Sequence, residues 1–266
     1  MFDIKKLTEL LGEGAPKIMF YDETDSTNLR AKIYAEEHPT ECCPVVFIAD
    51  SQSAGRGRLG RKFCSAAGVG LYVSILLYRE ASLSSLTDEE ITRITPYLAV
   101  KLCHAVEECS SAHPTVKWVN DLYLGDKKLA GILVEGVANS DGKIDRFICG
   151  LGTNVYKYEL PDEIKTIATS IEEVTNEIIS RESLAAALIK KVLSDLGNVA
   201  SEEVHAEYEK RLTTVGKEVK VIKPSGSYDA TVKGLNPDYS LTLTLPNGSE
   251  EILFTGEVSV KAKAFN

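Results

Sequence analysis

Residues 115–153 read TVKWVNDLYLGDKKLAGILVEGVANSDGKIDRFICGLGT, and the apolar runs within this stretch decide how the middle of the chain folds. Runs at 115–119, 129–137 and 144–153 are rich in β-branched and aliphatic residues and are bounded by polar excursions, which is the pattern of strands. Gly125-Asp126 and Asp141-Gly142 mark the turns between them. Asp-Gly between alternating apolar runs is a hairpin signal, because such turns need residues that tolerate positive φ.

Working outward, residues 3–11 predict a short amphipathic helix ended by Gly12, and Ile18–Tyr21 a strand. Asp25, Ser26 and Thr27 can cap a helix running to about Glu37. Val45–Ala49 and Val69–Leu77 read as strands. Thr87-Asp88-Glu89-Glu90 is a capping-box pattern opening a helix to about Cys109, within which Pro96 predicts a kink or a late start. Further helices are predicted at about 170–176, 183–197 and 202–212. From Gly216 the character changes: Glu218–Ile222, Ala230–Gly234, Leu241–Leu245, Glu251–Thr255 and Glu257–Ala262 are short strands separated by Gly, Pro, Asn and Asp, a pattern that suggests a small barrel.

The 266 residues suffice for one or two domains, and 44% hydrophobic with 26% charged residues is ordinary globular composition. Thirty basic against 39 acidic side chains give a net charge of -9, so the bulk surface repels DNA and anionic membranes and any basic patch must be local. No apolar run approaches the roughly 18 residues of a membrane span, and the N-terminus lacks a secretory signal, which predicts a cytoplasmic protein. The six cysteines form no CxxC pair, and the four histidines complete no zinc-like spacing. They read as reduced thiols. Cys103-His104 and Cys109 to His113 form the best metal candidate, with a helix carrying buried cysteines as the simpler reading.

Residues 55–60, GRGRLG, satisfy G-x-G-x-x-G. A dinucleotide fold needs a helix directly after the last glycine, whereas Val69–Leu77 is strand-like, so the nicotinamide reading fails. What the segment offers is Arg56, Arg58, Arg61 and Lys62 spaced among glycines. Glycine lets backbone N–H groups approach an anion, and guanidinium forks hold phosphate or carboxylate oxygens, so the segment reads as an anion loop. Asp121 and Lys128 flank a short excursion that brings them toward the same end of the sheet. Asp121 is suited to Mg²⁺ and Lys128 to a phosphate under transfer; equally, Asn120 and Asp121 read as turn residues, Lys128 as a solvated strand end and Trp118 as core. Gly150 to Asn154 offers either close backbone approach with an amide able to read an adenine edge, or a plain bulge and turn. Ser26, Thr27 and Asn28 read first as helix caps.

Five segments in order resemble the catalytic part of biotin protein ligases: DSTN at 25–28, SQSAGRGRLGRKF at 51–63, KWVNDLYLGDKKLAGILVE at 117–135, GLGTNV at 150–155 and GEVSV at 256–260. The resemblance implies an α+β fold. It would consist of a mixed sheet with helices on one side, as in class II synthetase-like catalytic domains, and a small C-terminal SH3-like β-barrel, divided as residues 1–214 and 215–266. It implies an ATP-dependent ligase that forms biotinyl-5'-AMP and passes biotin to a lysine of a biotin carboxyl carrier protein. By position in the motifs, Ser26, Thr27, Asn28, Gln52, Arg56, Gly57, Arg58, Lys128 and Gly131 are expected at biotin. Arg58, Arg61, Phe63, Asn120, Lys128 and Asn154 are expected at ATP or the adenylate. Arg58, Asp121 and Lys128 are the expected catalytic residues, with Asp121 at Mg²⁺.

Some positions depart from the family pattern: Phe63 stands where tryptophan is common, Ala66 where proline follows the serine, Val119 where proline follows Trp118, and Leu59 where a basic residue is frequent. About twenty residues precede the first shared motif, and with the acidic charge this predicts no operator binding, although many family members carry an N-terminal winged-helix domain. A homodimer is a further expectation from the resemblance. The alternatives are a lipoate or octanoyl ligase, and a non-catalytic biotin sensor.

Overall fold

All nine residues of Gly70–Tyr78 are buried. A strand that is apolar without alternation is covered on both faces, and in the computed structural model, which describes residues 2–223 and 226–260, this strand lies inside a seven-stranded sheet. The elements run α1 (Ile4–Leu11), β1 (Lys17–Thr24), α2 (Thr27–Glu37), β2 (Val45–Gln52), β3 (Gly70–Tyr78), the single turn α3 (Arg79–Ser82), α4 (Ile94–Cys109), β4 (Thr115–Lys117), β5 (Asp121–Leu124), β6 (Lys127–Ala138) and β7 (Ile144–Asn154). There follow α5 (Ile171–Thr175), α6 (Arg181–Leu193), α7 (Glu202–Arg211), β8 (Glu218–Lys223), β9 (Gly226–Leu235), β10 (Leu241–Thr244), β11 (Glu250–Leu253) and β12 (Glu257–Val260).

The sheet order is β1-β2-β3-β7-β6-β5-β4. Only β1 and β2 run parallel, and α2 makes the crossover that parallel neighbours require. The remaining pairs are antiparallel, so the sheet is mixed and the fold α+β, as expected.

The placement of helices on one side needs a correction. Val46 and Ile48 of β2 and Val73 and Ile75 of β3 share a core with α1, α4, α6 and α7. Val45, Phe47 and Leu76, which alternate with them, pack instead against Ala31, Tyr34 and Ala35 of α2. Successive side chains of a strand point to opposite faces, so α2 lies on the other side of the sheet, covering residues that would otherwise be exposed and apolar.

The capping box at Thr87 forms, with the Thr87 N–H donating to Glu90 Oε2 at 3.0 Å and the Glu90 N–H to Thr87 Oγ1 at 3.2 Å. It opens a 3-10 turn over Glu90–Arg93, and α4 begins only at Ile94. Pro96 therefore stands in the first turn, where its missing N–H costs nothing. The strand β5 was not expected; DLYL is too short to declare itself between Asn120 and Gly125.

The last five strands form an antiparallel sheet ordered β11-β10-β9-β8-β12, consistent with the SH3-like expectation. Residues 261 and 262 of the strand expected at Glu257–Ala262 lie outside the described residues. The second sheet is joined to the end of β4 by Trp118, whose indole N–H donates to the Tyr239 carbonyl at 2.7 Å, and to α7 by the edge-on contact of Tyr208 with Tyr239.

All six cysteines are free thiols. Cys103 and Cys149 are buried, and burial pushes both thiols up to about 12. Among the described residues, the one grouping of three His, Cys, Asp or Glu ligands is Glu41, Cys42 and Cys43. The metal candidate around Cys103 and His113 therefore gives way to the simpler reading: His104 faces Glu207, and His113 faces Glu107. No helix of the described residues is long and apolar enough to cross a membrane.

Candidate active site

A cleft opens on the α2 face of the sheet, and its lining joins the start of α2, the glycine-arginine loop and strands β6 and β7. Its floor depends on missing side chains. Gly131 and Gly152 are cross-strand neighbours, and Gly150 lies opposite Leu133. A Cβ at Gly150 would stand 2.1 Å from Asn28 Oδ1, and one at Gly152 2.6 Å from the Phe63 ring. The GLG of residues 150–152 is therefore required by close approach and is not a plain bulge.

One end of the cleft is polar. Ser26 occupies the N-cap position of α2 without a side-chain capping bond, and Asp25 accepts the Ser26 N–H at 2.6 Å. The Thr27 N–H, an orphan donor of the first turn, goes to Gln52 Oε1 at 2.8 Å. The cap reading thus holds for position only: the bonds are made by neighbours, and Ser26, Thr27 and Asn28 line the cleft. Thr27 Oγ1 is 3.1 Å from Gln52 Oε1, and Gln52 Nε2 donates to Ser65 Oγ at 2.8 Å. Behind them Ser74 Oγ lies 2.7 Å from Thr27 Oγ1 and 2.6 Å from Asn28 Oδ1. The Asn28 amide donates to Glu135 Oε2 at 2.7 Å. Sequence reasoning missed Ser74 and Glu135. The single serine in the run GLYVSILLY was the available sign, since a buried polar group demands partners.

The other end carries the cations. Arg58 Nη1 donates to Asn120 Oδ1 at 2.9 Å, and Asn120 Nδ2 donates to Asp121 Oδ1 at 3.0 Å. Lys128 Nζ stands 2.7 Å from the same Asp121 oxygen. The hairpin return expected between Asp121 and Lys128 is thus real, with β5 supplying it. A Cβ on Gly131 would come within 3.2 Å of Lys128 Nζ. Each arginine of the loop is held by an acceptor on a different element: Arg56 by Glu135 on β6 at 3.3 Å, Arg58 by Asn120, and Arg61 by Glu257 on β12. The loop itself is closed by Gly57 N–H to Arg61 O at 2.8 Å and Phe63 N–H to Gly55 O at 2.9 Å.

Of the residues expected at biotin, all nine line the cleft. Of those expected at ATP, Arg58, Phe63, Asn120 and Lys128 line it, while Arg61 and Asn154 do not. Asn154 Nδ2 instead donates to the Thr169 carbonyl at 2.9 Å, in a segment whose Ala168 bridges Lys128. Asp121 stands behind Lys128 without lining the cleft.

A sequence model of the biotin/lipoate A/B protein ligase family matches residues 23–154, which hold the cleft-forming motifs from α2 to β7. Residues 23–154 carry the domain of this family. The chain is 28% identical over 250 residues to the bifunctional ligase/repressor BirA of Bacillus subtilis, covering 92% of this chain and 74% of that protein. It is 29% identical to the biotin–[acetyl-CoA-carboxylase] ligase of Mycobacterium tuberculosis over 197 residues, 68% of this chain and 66% of the other. The structure of the biotin protein ligase of Aquifex aeolicus in complex with biotin and ATP superposes with a TM-score of 0.76 at 28% identity, covering 92% of this chain and 98% of that one.

Proposed function

We propose that the chain activates biotin with ATP as biotinyl-5'-AMP and then transfers biotin to a lysine of a carrier protein. The observation that carries this reading is the division of one cleft into a hydrogen-bonding end at Thr27, Asn28 and Gln52 and a cationic end at Arg58 and Lys128. A ureido ring presents two N–H donors and a carbonyl, which the first end can pair. The dithiolane ring of lipoate has no such groups and would leave that end unpaired, at a cost of roughly 1–3 kcal/mol per buried polar group. A sensor needs only the first end, so the Arg58–Asn120–Asp121–Lys128 chain favours a catalyst.

In the first step, two anions, the biotin carboxylate and the α-phosphate, must be brought into line. Lys128 would lie between them as a point charge, and Arg58 would hold phosphate oxygens with its planar fork. Asp121 and Asn120 fix the directions of these two cations. Phe63, folded over the Gly152 backbone, would cover the adenine and keep water from the mixed anhydride.

Asp121 offers one carboxylate behind Lys128, and no acidic side chain stands in the cleft lining itself. That donor set fits Mg²⁺, which takes one or two protein carboxylates and fills its other positions with phosphate oxygens and water. Bound there, Mg²⁺ would neutralise charge on the triphosphate. Residues 215–266 are proposed to act with residues 1–214 as the smaller of two domains, held to the loop through Arg61 and Glu257.

Incubation with biotin, ATP and an unmodified biotin carboxyl carrier domain tests the whole reading. The expected result is a carrier heavier by one biotinyl group at a single lysine, with no change when lipoate replaces biotin.

A further inference from the structure

Glu135 sits on β6 at the rim of the cleft and touches both its polar wall and its loop. One oxygen accepts from Asn28 Nδ2 at 2.7 Å and the other lies 3.3 Å from Arg56 Nη1. Both neighbours are donors. Only a side chain that is an acceptor at both ends meets both at once; an amide of the same size would set an N–H against one of them.

The consequence runs inward. The Asn28 atom facing Glu135 also lies 3.3 Å from the Leu133 carbonyl, a second group that can only accept, so it is the amide nitrogen. Asn28 Oδ1 then faces Ser74 Oγ at 2.6 Å and must accept from it. Ser74, wholly buried in β3, has one hydroxyl hydrogen. Having given it to Asn28, it must accept from Thr27 Oγ1 at 2.7 Å. The chain Thr27 to Ser74 to Asn28 to Glu135 thus has a fixed direction. Thr27 Oγ1 is left to accept from a ligand, beside a Gln52 Oε1 that already takes the Thr27 N–H at 2.8 Å.

We infer that Glu135 is a specificity-determining positioning residue: through Asn28 and Ser74 it sets the polar end of the cleft to accept from ring N–H groups, and through Arg56 it ties the loop to that end. This inference deepens the ligation reading and rests on it. Glu135 is half-buried, and its ion pair with the half-exposed Arg56 contributes little to stability. Its effect is therefore on recognition.

The test is Glu135→Gln, with Glu135→Asp beside it. Calorimetry measures binding of biotin and of a biotin methylated on one ring nitrogen. Pyrophosphate exchange gives kcat and KM, and thermal melting reports folding. Glu135→Gln should raise the dissociation constant and KM for biotin about ten-fold, leave kcat and the melting midpoint unchanged, and narrow the preference for biotin over the methylated ring. Glu135→Asp, shorter but an acceptor at both ends, should retain more of that preference than the isosteric amide. Wild-type discrimination in Glu135→Gln, or a fall of kcat together with the melting midpoint in both variants, would overturn the inference. Failure of the wild-type chain to bind biotin would remove the ligation reading itself, an outcome separate from biotin binding that Glu135→Gln leaves intact.

Discussion

Lys128 Nζ stands 2.7 Å from Asp121 Oδ1 across the β5–β6 pair, and both side chains are partly exposed. A pair of this kind adds about 0–1 kcal/mol to stability, so its value lies in aiming the lysine. Lys128→Ala should therefore melt within a few degrees of the parent while losing at least ~10²-fold in adenylate formation. Single-turnover formation of the adenylate measures the loss; parental rates would remove Lys128 from the reaction.

The two floor glycines should separate stability from substrate handling. At position 150 a methyl group meets the buried Asn28 amide at 2.1 Å, so Gly150→Ala should cost roughly 1–3 kcal/mol, read by urea unfolding. At position 152 it meets the Phe63 ring at 2.6 Å, and this ring can swing outward. Gly152→Ala should keep parental stability and raise the KM for ATP several-fold in steady-state exchange.

These glycines also mark how far the sequence can be read. The helices at 3–11, 25–37 and 202–212 and the strands on either side of Asp141-Gly142 declare themselves through caps, periodicity and turn residues, which are local signals. The face on which α2 packs does not, because GLYVSILLY requires cover on both sides without saying which helix supplies which. The strand β5 is hidden because its four residues become a strand only by pairing with β4 and β6. At the site, the motif residues gather in one cleft, but their supports do not show in spacing. Ser74 and Glu135 lie 46 and 107 residues from the Asn28 they orient.

Arg211 should make the helical layer sensitive to acid. It donates to Glu107 at 2.7 and 2.9 Å and to Glu207 at 2.8 Å, and its hydrogen bond to Glu107 holds that carboxyl below its ordinary 4.5. A carboxylate lowered in the folded state stabilises fully above its unfolded pKa and loses that contribution as pH falls through the folded value. Melting midpoints should thus drop below about pH 4.5. Arg211→Met should cost about 2 kcal/mol at neutral pH and show a shallower acid slope, both accessible by calorimetry from pH 7 to 3.

The ion pair between Arg61 and Glu257 ties the loop to the second sheet. In Glu257→Gln the loop loses one of its three side-chain anchors, and trypsin should cut after Arg61 or Lys62 several-fold faster than in the parent. Equal cleavage rates would show that Arg58 and Arg56 hold the loop without it.

The central claim is that this cleft joins biotin to AMP, and biotin-dependent exchange of pyrophosphate into ATP by the purified chain tests it most directly. The account predicts exchange with biotin and none with lipoate or without an acid. Exchange with lipoate alone, or none with biotin despite calorimetric biotin binding, would contradict it.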